Sequence, residues 1–266
     1  IFTIAAKEFR DRMRNRWVLA VALVFTVFSL VIAYFGGAQQ GAVGFRSIEF
    51  TIASLVSLVI YLIPLIALLL GFDAIVGERE RGSLDLLLSL PITRLELLLG
   101  KYLGLAAALA LSTLAGFGMV AVLLSRQMSW ASMYHYFGFM LSSVLLGLAF
   151  LSLAVLLSVL ARDRTRASGL AIATWFFFVL VFDLLLLGVL VGSGGRFGGE
   201  SFALLLLLNP ADVFRILNVF SLEDVRTLYG LATVVPPAMG SPLKMGGAML
   251  VWIAVPLALA HWRFKP

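Results

Sequence analysis

Cysteine is absent from this 266-residue chain, so neither disulfides nor thiolate metal ligands are available to it. Charge is scarce as well. Asp, Glu, Lys and Arg make up 13% of the residues, against roughly 25% in a soluble globular domain. Histidine occurs twice, at His135 and His261, far apart in sequence. The alternation of apolar and polar residues that marks a transmembrane β-barrel is missing too. What remains is apolar: 62% of residues are hydrophobic and the mean hydropathy is +1.06, in continuous runs. These features predict an all-α polytopic membrane protein. The net charge of +6 is no nucleic-acid footprint, because its placement follows the spans.

Six runs are long enough to cross a bilayer, which takes about 20 residues: Trp17–Phe35, Thr51–Phe72, Tyr102–Leu124, Tyr136–Leu160, Ala167–Val191 and Leu243–Trp262. An even number puts both termini on one side. The termini and the loops at 73–101 and 161–166 hold 14 basic residues, while the opposite side holds six. By the positive-inside rule both termini are expected in the cytoplasm, which for a bacterial protein means the inner membrane. The chain is expected to form a single transmembrane domain over 1–266.

Residues 1–16 form an amphipathic prelude, with Phe2, Ala6, Phe9 and Met13 at helical spacing. It predicts a helix lying in the membrane interface before the first span. A signal peptide is the competing reading, but no small-residue cleavage site follows and the run is long enough to span. The chain opens on Ile1, so a few native residues are expected to precede it.

The third span carries a small residue at every fourth position, Gly100, Gly104, Ala108, Ser112 and Gly116, as close helix approach requires. Ordinary small residues in a glycine-rich protein explain it equally well. Pro64 and Pro256 fall inside the second and sixth spans and are candidates for kinks. The segment 192–242 between the last two spans is more than a loop. A glycine-rich turn leads into Phe202–Leu208, only about 10 Å long as a helix at ~1.5 Å per residue, which fits a re-entrant or interfacial element. Asn209-Pro210 reads as a helix start. The apolar stripe of Val213, Ile216, Leu217 and Phe220 follows, and Ser221 with Asp224 resembles a capping box for a second short helix. These helices are expected at the outer face, closing a pathway or docking a partner.

Asp183 is the one ionisable residue well inside a span. An intramembrane carboxylate is costly, about 2.5–3.5 kcal/mol at the centre on insertion scales, so it is expected to face a protein seam or a water-filled cavity. It is either part of a translocation path or an interhelical hydrogen-bonding group. Met128, Met133 and His135, with Met239 and Met245, offer soft ligands of the kind that suit copper. Spacing alone defines no ligand set, and no metal site is assigned. Lys101 follows Gly100 without the glycine-rich lead-in of a P-loop, and neither HExxH nor GxSxG occurs. No catalytic residue and no bound cofactor are expected.

The densest charge lies at Gly77–Lys101, with eight charged residues in 25 positions around a short apolar helix stopped by Pro91. Glu78-Arg79-Glu80-Arg81 leads to Gly82, where the backbone turns. Ser83 is a candidate N-cap, and Asp85 suits the positive end of the helix dipole. Leu84, Leu87 and Leu88, with Leu86 and Leu90, supply an apolar surface, and Thr93 with Glu96 forms a capping box for the next helix. A capped, apolar-faced helix rimmed by charge suits a helix-in-groove contact; a solvated loop with an interfacial helix is the alternative.

The motif E-R-E-R-G-S-L-D-x-L-L-S-L-P-I-x-R-x-E-x-x-x-G-K at Glu78–Lys101 resembles the coupling-helix region of the permease subunits of exporter-class ABC transporters. The architecture is similar over the whole chain. Phe72–Glu78 and Leu208–Arg215 are further similar to permeases serving maturation of the copper centre of nitrous oxide reductase. The resemblance implies an elbow helix at 1–16, a coupling-helix loop at 77–96 and a periplasmic segment at 192–242. It implies pairing with a second copy, along the first and fifth spans. A cytoplasmic ATPase dimer would bind ATP and Mg and contact Glu78, Arg79, Glu80, Arg81, Gly82, Ser83, Leu84, Asp85, Leu87, Leu88 and Pro91. A periplasmic partner would meet Val213, Phe214, Arg215, Leu217 and Phe220. A sulfur species, copper handling and mechanical drive of the partner remain open as the task. A stand-alone secondary carrier, with Asp183 as its support, and a structural membrane anchor are the competing classes.

Overall fold

A computed structural model of the chain describes residues 1–14, 16–35, 48–125, 129–193, 204–219 and 241–264. The described residues are helical throughout: α1 (Phe2–Arg14), α2 (Trp17–Phe35), α3 (Ile48–Gly71), α4 (Val76–Glu80), α5 (Ser83–Leu88), α6 (Arg94–Leu124), α7 (Trp130–Leu160), α8 (Arg164–Phe176), a π turn (Phe177–Val181), α9 (Phe182–Gly192), α10 (Pro210–Val219) and α11 (Pro242–Arg263). Among the described residues five helical stretches are long and apolar enough to cross a membrane. A sixth arises if α1 and α2, bent by 63° at their junction, are taken as one broken span.

Helix α7 is the axle. It packs against α3, α6, α8, α10 and α11, while α1 and α2 lie chiefly against α6. The contacts on α6 explain the small-residue stripe. A Cβ on Gly100 would come within 2.7 Å of Ile4 Cβ, and one on Gly104 within 2.6 Å of the Ala5 carbonyl and the Glu8 Cβ. At Gly116 the same atom would meet Phe25 Cβ at 2.6 Å. Backbone contact of this kind is what small residues provide where apolar burial gives helices no drive to associate. Thr26 adds a hydrogen bond to the Gly116 carbonyl, 3.2 Å. The stripe is therefore the floor on which α1 and α2 rest.

Both termini lie at one end of the bundle: the Arg94 guanidinium, at the start of α6, donates to the carbonyl of Phe264, and Lys101 pairs with Glu8 of α1. Pro64 and Pro256 are accommodated inside continuous helices α3 and α11. The chain starts α6 where the capping box requires. Thr93 Oγ1 accepts from the Glu96 amide at 3.2 Å, and the Glu96 carboxylate accepts from the Thr93 amide at 2.8 Å.

The segment 204–219 turns inward. The Trp252 indole, midway along α11, donates to the Leu207 carbonyl at 2.9 Å. Asn209 donates to the carbonyl of Phe178, midway along the fifth span, at 2.8 Å. From there α10 climbs back beside α7 until Asn218 donates to Ser142 Oγ at 3.0 Å. It is thus a re-entrant element enclosed by α3, α7 and α11. The expected helix after Ser221 and the residue Phe220 lie outside the described residues.

Candidate functional site

Two charged assemblies stand out, one at each level of the bundle. The first is the loop between α3 and α6. Gly82 takes a left-handed conformation (φ +70°), open to few residues besides glycine. Gly82 itself is the N-cap of α5, which corrects the expectation for Ser83. The Ser83 hydroxyl instead donates back to the Glu78 carboxylate and carbonyl. The helix α5 stands with one face on the bundle. Leu84 is buried, and Leu87 and Leu88 are half-buried against the core. The outward face carries Leu86 (70% exposed) and Asp85, and the exposed flanks of the helix carry Glu80 and Arg81 before it and Leu90 (52%) and Pro91 after it. The apolar positions expected to act together are therefore divided between anchoring and display.

Glu78 and Arg79 turn inward as well. The Arg79 guanidinium donates to the carbonyl of Ala161 at 2.7 Å, closing the end of α7. Ser158 Oγ accepts from the amides of Ile75 and Val76 at 2.9 and 3.0 Å, satisfying the first turn of α4. Glu78 pairs with Lys101 at 2.9 Å, and Lys101 also holds Glu8 at 3.2 Å. Arg12 lies between Glu8 (3.4 Å) and Asp73 (3.6 Å), and Asp73 takes Arg164 at 2.8 Å. The amide of Arg164 donates to Glu80 at 2.6 Å. The ties thus run from Glu78 around to Glu80, crossing α1, α6 and α8. A sequence reading that sees eight charges in one loop has no signal for this closure, because Glu8 and Arg164 are distant in the chain.

The second assembly surrounds Asp183. Arg215 of α10 lies 3.1 Å from the Asp183 carboxylate and 2.6 Å from Asp212. Asp212 is buried and also accepts from Asn209, 3.0 Å. Asn209 Oδ1 caps α10 by accepting from the Ala211 amide at 2.9 Å, as the Asn-Pro pair predicts. Its amide group reaches the Phe178 carbonyl in the π turn, where the regular helical pairing is shifted and a carbonyl is free to accept. Asp183 therefore has charged company that its own span does not reveal. The expectation for α10 is corrected here. Val213 and Phe214 are fully buried against this chain's own helices, Leu217 is half-buried, and Arg215 faces the two carboxylates. The stripe that reads as partner-facing is the helix's core face.

Of the soft ligands, Met245 is buried in the core, and Met133 and His135 are half-buried. His135 lines a cavity of about 490 Å³ with Ser142, Leu145, Leu217 and Asn218. Met128 and Met239 lie outside the described residues. Among the described residues no group of three His, Cys, Asp or Glu is placed to hold a metal ion.

The bundle thus holds a short loop helix at one end and a re-entrant helix before its last span. The family model described as ABC-2 family transporter protein matches residues 2–266. The chain belongs to the ABC-2 transporter family. It is 47% identical over 272 residues to the Probable ABC transporter permease protein NosY of Pseudomonas aeruginosa, covering all of this chain and 98% of that protein. To the protein of the same name from Stutzerimonas stutzeri it is 45% identical over 274 residues, with the same coverage. This ABC-2 permease is thus NosY-like over its whole length.

Proposed function

We propose that this chain is the permease of an ATP-driven complex of the bacterial inner membrane, with both termini cytoplasmic. The observation that carries the reading is α5. A six-residue helix is anchored by Leu84 from behind and presents Leu86 and Asp85 in front, with Arg81 just before it and Leu90 just after it. Apolar side chains ringed by charge are the chemistry of a helix laid into a groove. A separate NosF-like ATPase dimer receives this helix and binds the ATP and Mg; the permease binds neither and catalyses no reaction itself. Two copies of the permease pair, so that each ATPase subunit takes one α5.

The likeness to proteins named NosY supports a place in maturation of the copper centre of nitrous oxide reductase. In that role the complex works on a NosD-like periplasmic partner at the end of the bundle away from the termini. Delivery of a sulfur species, handling of copper and mechanical drive of the partner are the three forms the work takes in this reading. In this reading the NosD-like partner meets the outer helix ends, since Val213 and Phe214 of α10 are buried.

Co-expression of tagged permease with the ATPase tests the reading. Wild type is expected to retain the ATPase, and Arg81→Glu with Leu86→Asp to lose it. Equal recovery with both chains removes the coupling role and favours a stand-alone carrier or a structural anchor.

A further inference from the structure

Lys101 is nearly inaccessible, 5% exposed, although it is a lysine. Burying an ammonium is expensive unless it is paired and hydrogen-bonded, and this one is clasped by two carboxylates. Glu8 comes from α1 and Glu78 from α4, elements 70 residues apart in the chain. The clasp depends on the glycine floor. At Gly104 the backbone of α6 lies so close to α1 that an added Cβ would sit 2.6 Å from the Glu8 Cβ. That approach brings the Glu8 carboxylate over Lys101, one turn earlier on α6. On the other side, Glu78 accepts from Ser83, the first residue of α5. A continuous line therefore runs from α5 through Ser83, Glu78, Lys101 and Glu8 to α1. From α1 it continues through Arg12 and Asp73 to Arg164 and back to Glu80.

Ion pairs in such a ring resist stretching because separating any pair leaves a charge uncompensated in a half-buried site. We infer that Lys101 is the positioning residue that locks α1 to the loop helix α5, so that displacement of α5 is delivered to α1 and through it to α2. The inference rests on the reading of α5 as the ATPase-facing helix and goes beyond it. That reading says where force enters; Lys101 says which element it reaches first. Without the clasp, α5 still binds and moves, and α1 keeps only the longer Arg12–Asp73 contact at 3.6 Å, too weak to carry the motion.

The test uses the assembled complex of permease, ATPase and periplasmic partner in lipid nanodiscs. Because the chain has no cysteine, spin labels are placed through Arg10→Cys on α1 and Leu160→Cys on α7, both exposed positions. The distance between them is measured with and without ATP and vanadate. Wild type is expected to retain the ATPase and to show a nucleotide-dependent change in the distance. The variant Lys101→Met, Glu8→Gln removes the clasp's charges on α6 and α1 and leaves Glu78, a residue of the ATPase-facing segment, with its hydrogen bond from Ser83. It is expected to keep the ATPase and its hydrolysis but lose the distance change, and Lys101→Arg is expected to keep both. A wild-type distance change in this double variant overturns the role of Lys101 alone. Failure of the wild-type chain to retain the ATPase overturns the coupling reading, and the role of Lys101 with it. If the double variant does not fold, Glu8→Gln serves. It leaves the Lys101–Glu78 pair in place, the same loss is expected, and a full change overturns the inference.

Discussion

The guanidinium of Arg215 lies 3.1 Å from the Asp183 carboxylate, joining the re-entrant helix to the fifth span at the one charged position inside that span. The pair is unequal in its dependence on its neighbours. Asp183 is 39% exposed at the side chain, whereas Asp212, the second partner of Arg215, is 1% exposed. Removal of Asp212 leaves Arg215 with a single half-exposed partner, so Asp212→Asn is expected to cost about 3–5 kcal/mol, the range for breaking a buried pair. Asp183→Asn is expected to cost less, because Arg215 keeps its closer partner Asp212 at 2.6 Å. Apparent melting temperatures of the two variants in the same detergent check the order. Equal losses would mean that Arg215 is held by Asp183 as firmly as by Asp212.

Asn209 carries two duties that one substitution separates. Asn209→Asp keeps an oxygen to cap the Ala211 amide but loses the donor to the Phe178 carbonyl in the π turn. A buried carbonyl left without its partner costs about 1–3 kcal/mol, and a new carboxylate next to Asp212 adds repulsion. Asn209→Ala loses the cap too, worth about 1 kcal/mol more. Thermal unfolding should therefore rank wild type above both variants. A wild-type melting temperature for Asn209→Asp would show that the link to the π turn contributes nothing.

Gly104 tests the floor beneath α1. An added side chain there meets the Ala5 carbonyl and the Glu8 Cβ, both at 2.6 Å. Gly104→Leu is expected to lift α1 from α6, at a cost of about 1–3 kcal/mol for overpacking. Limited proteolysis within residues 1–14 should accelerate, while cleavage elsewhere is unchanged. Unchanged protection of α1 would contradict the close approach.

Gly82 sets the direction of α5 through its positive φ. Gly82→Val forces a β-branched residue into the left-handed region, about 1–2 kcal/mol uphill, and is expected to reduce recovery of the ATPase without unfolding the bundle. Gly82→Asn, tolerated in that conformation, is expected to recover it almost fully. Equal recovery with both variants would remove any role for the turn.

Much of the frame is legible in the sequence because it is written in local chemistry. Thr93 with Glu96 and Asn209 before Pro210 mark helix starts by residues three or fewer positions apart. The apolar runs give the spans by length. What escapes is written across distance. Nothing near Asp183 points to Arg215, 32 residues on, and Lys101 has no local signal that it meets Glu8. The stripe Val213, Ile216, Leu217 is correctly periodic, yet period alone does not say whether an apolar face meets a partner or its own bundle. Ser83 fails as an N-cap for a local reason: Gly82 takes the turn and leaves the hydroxyl to Glu78.

The most direct test of the account is a photo-crosslinking residue at Leu86 in the intact complex, with Trp130 at the other end of the bundle as the reference, both exposed positions. Capture of the ATPase from position 86 and not from position 130 is the predicted result. Absence of the ATPase from position 86, or capture from position 130 instead, would contradict the placement of α5 as the helix that receives it.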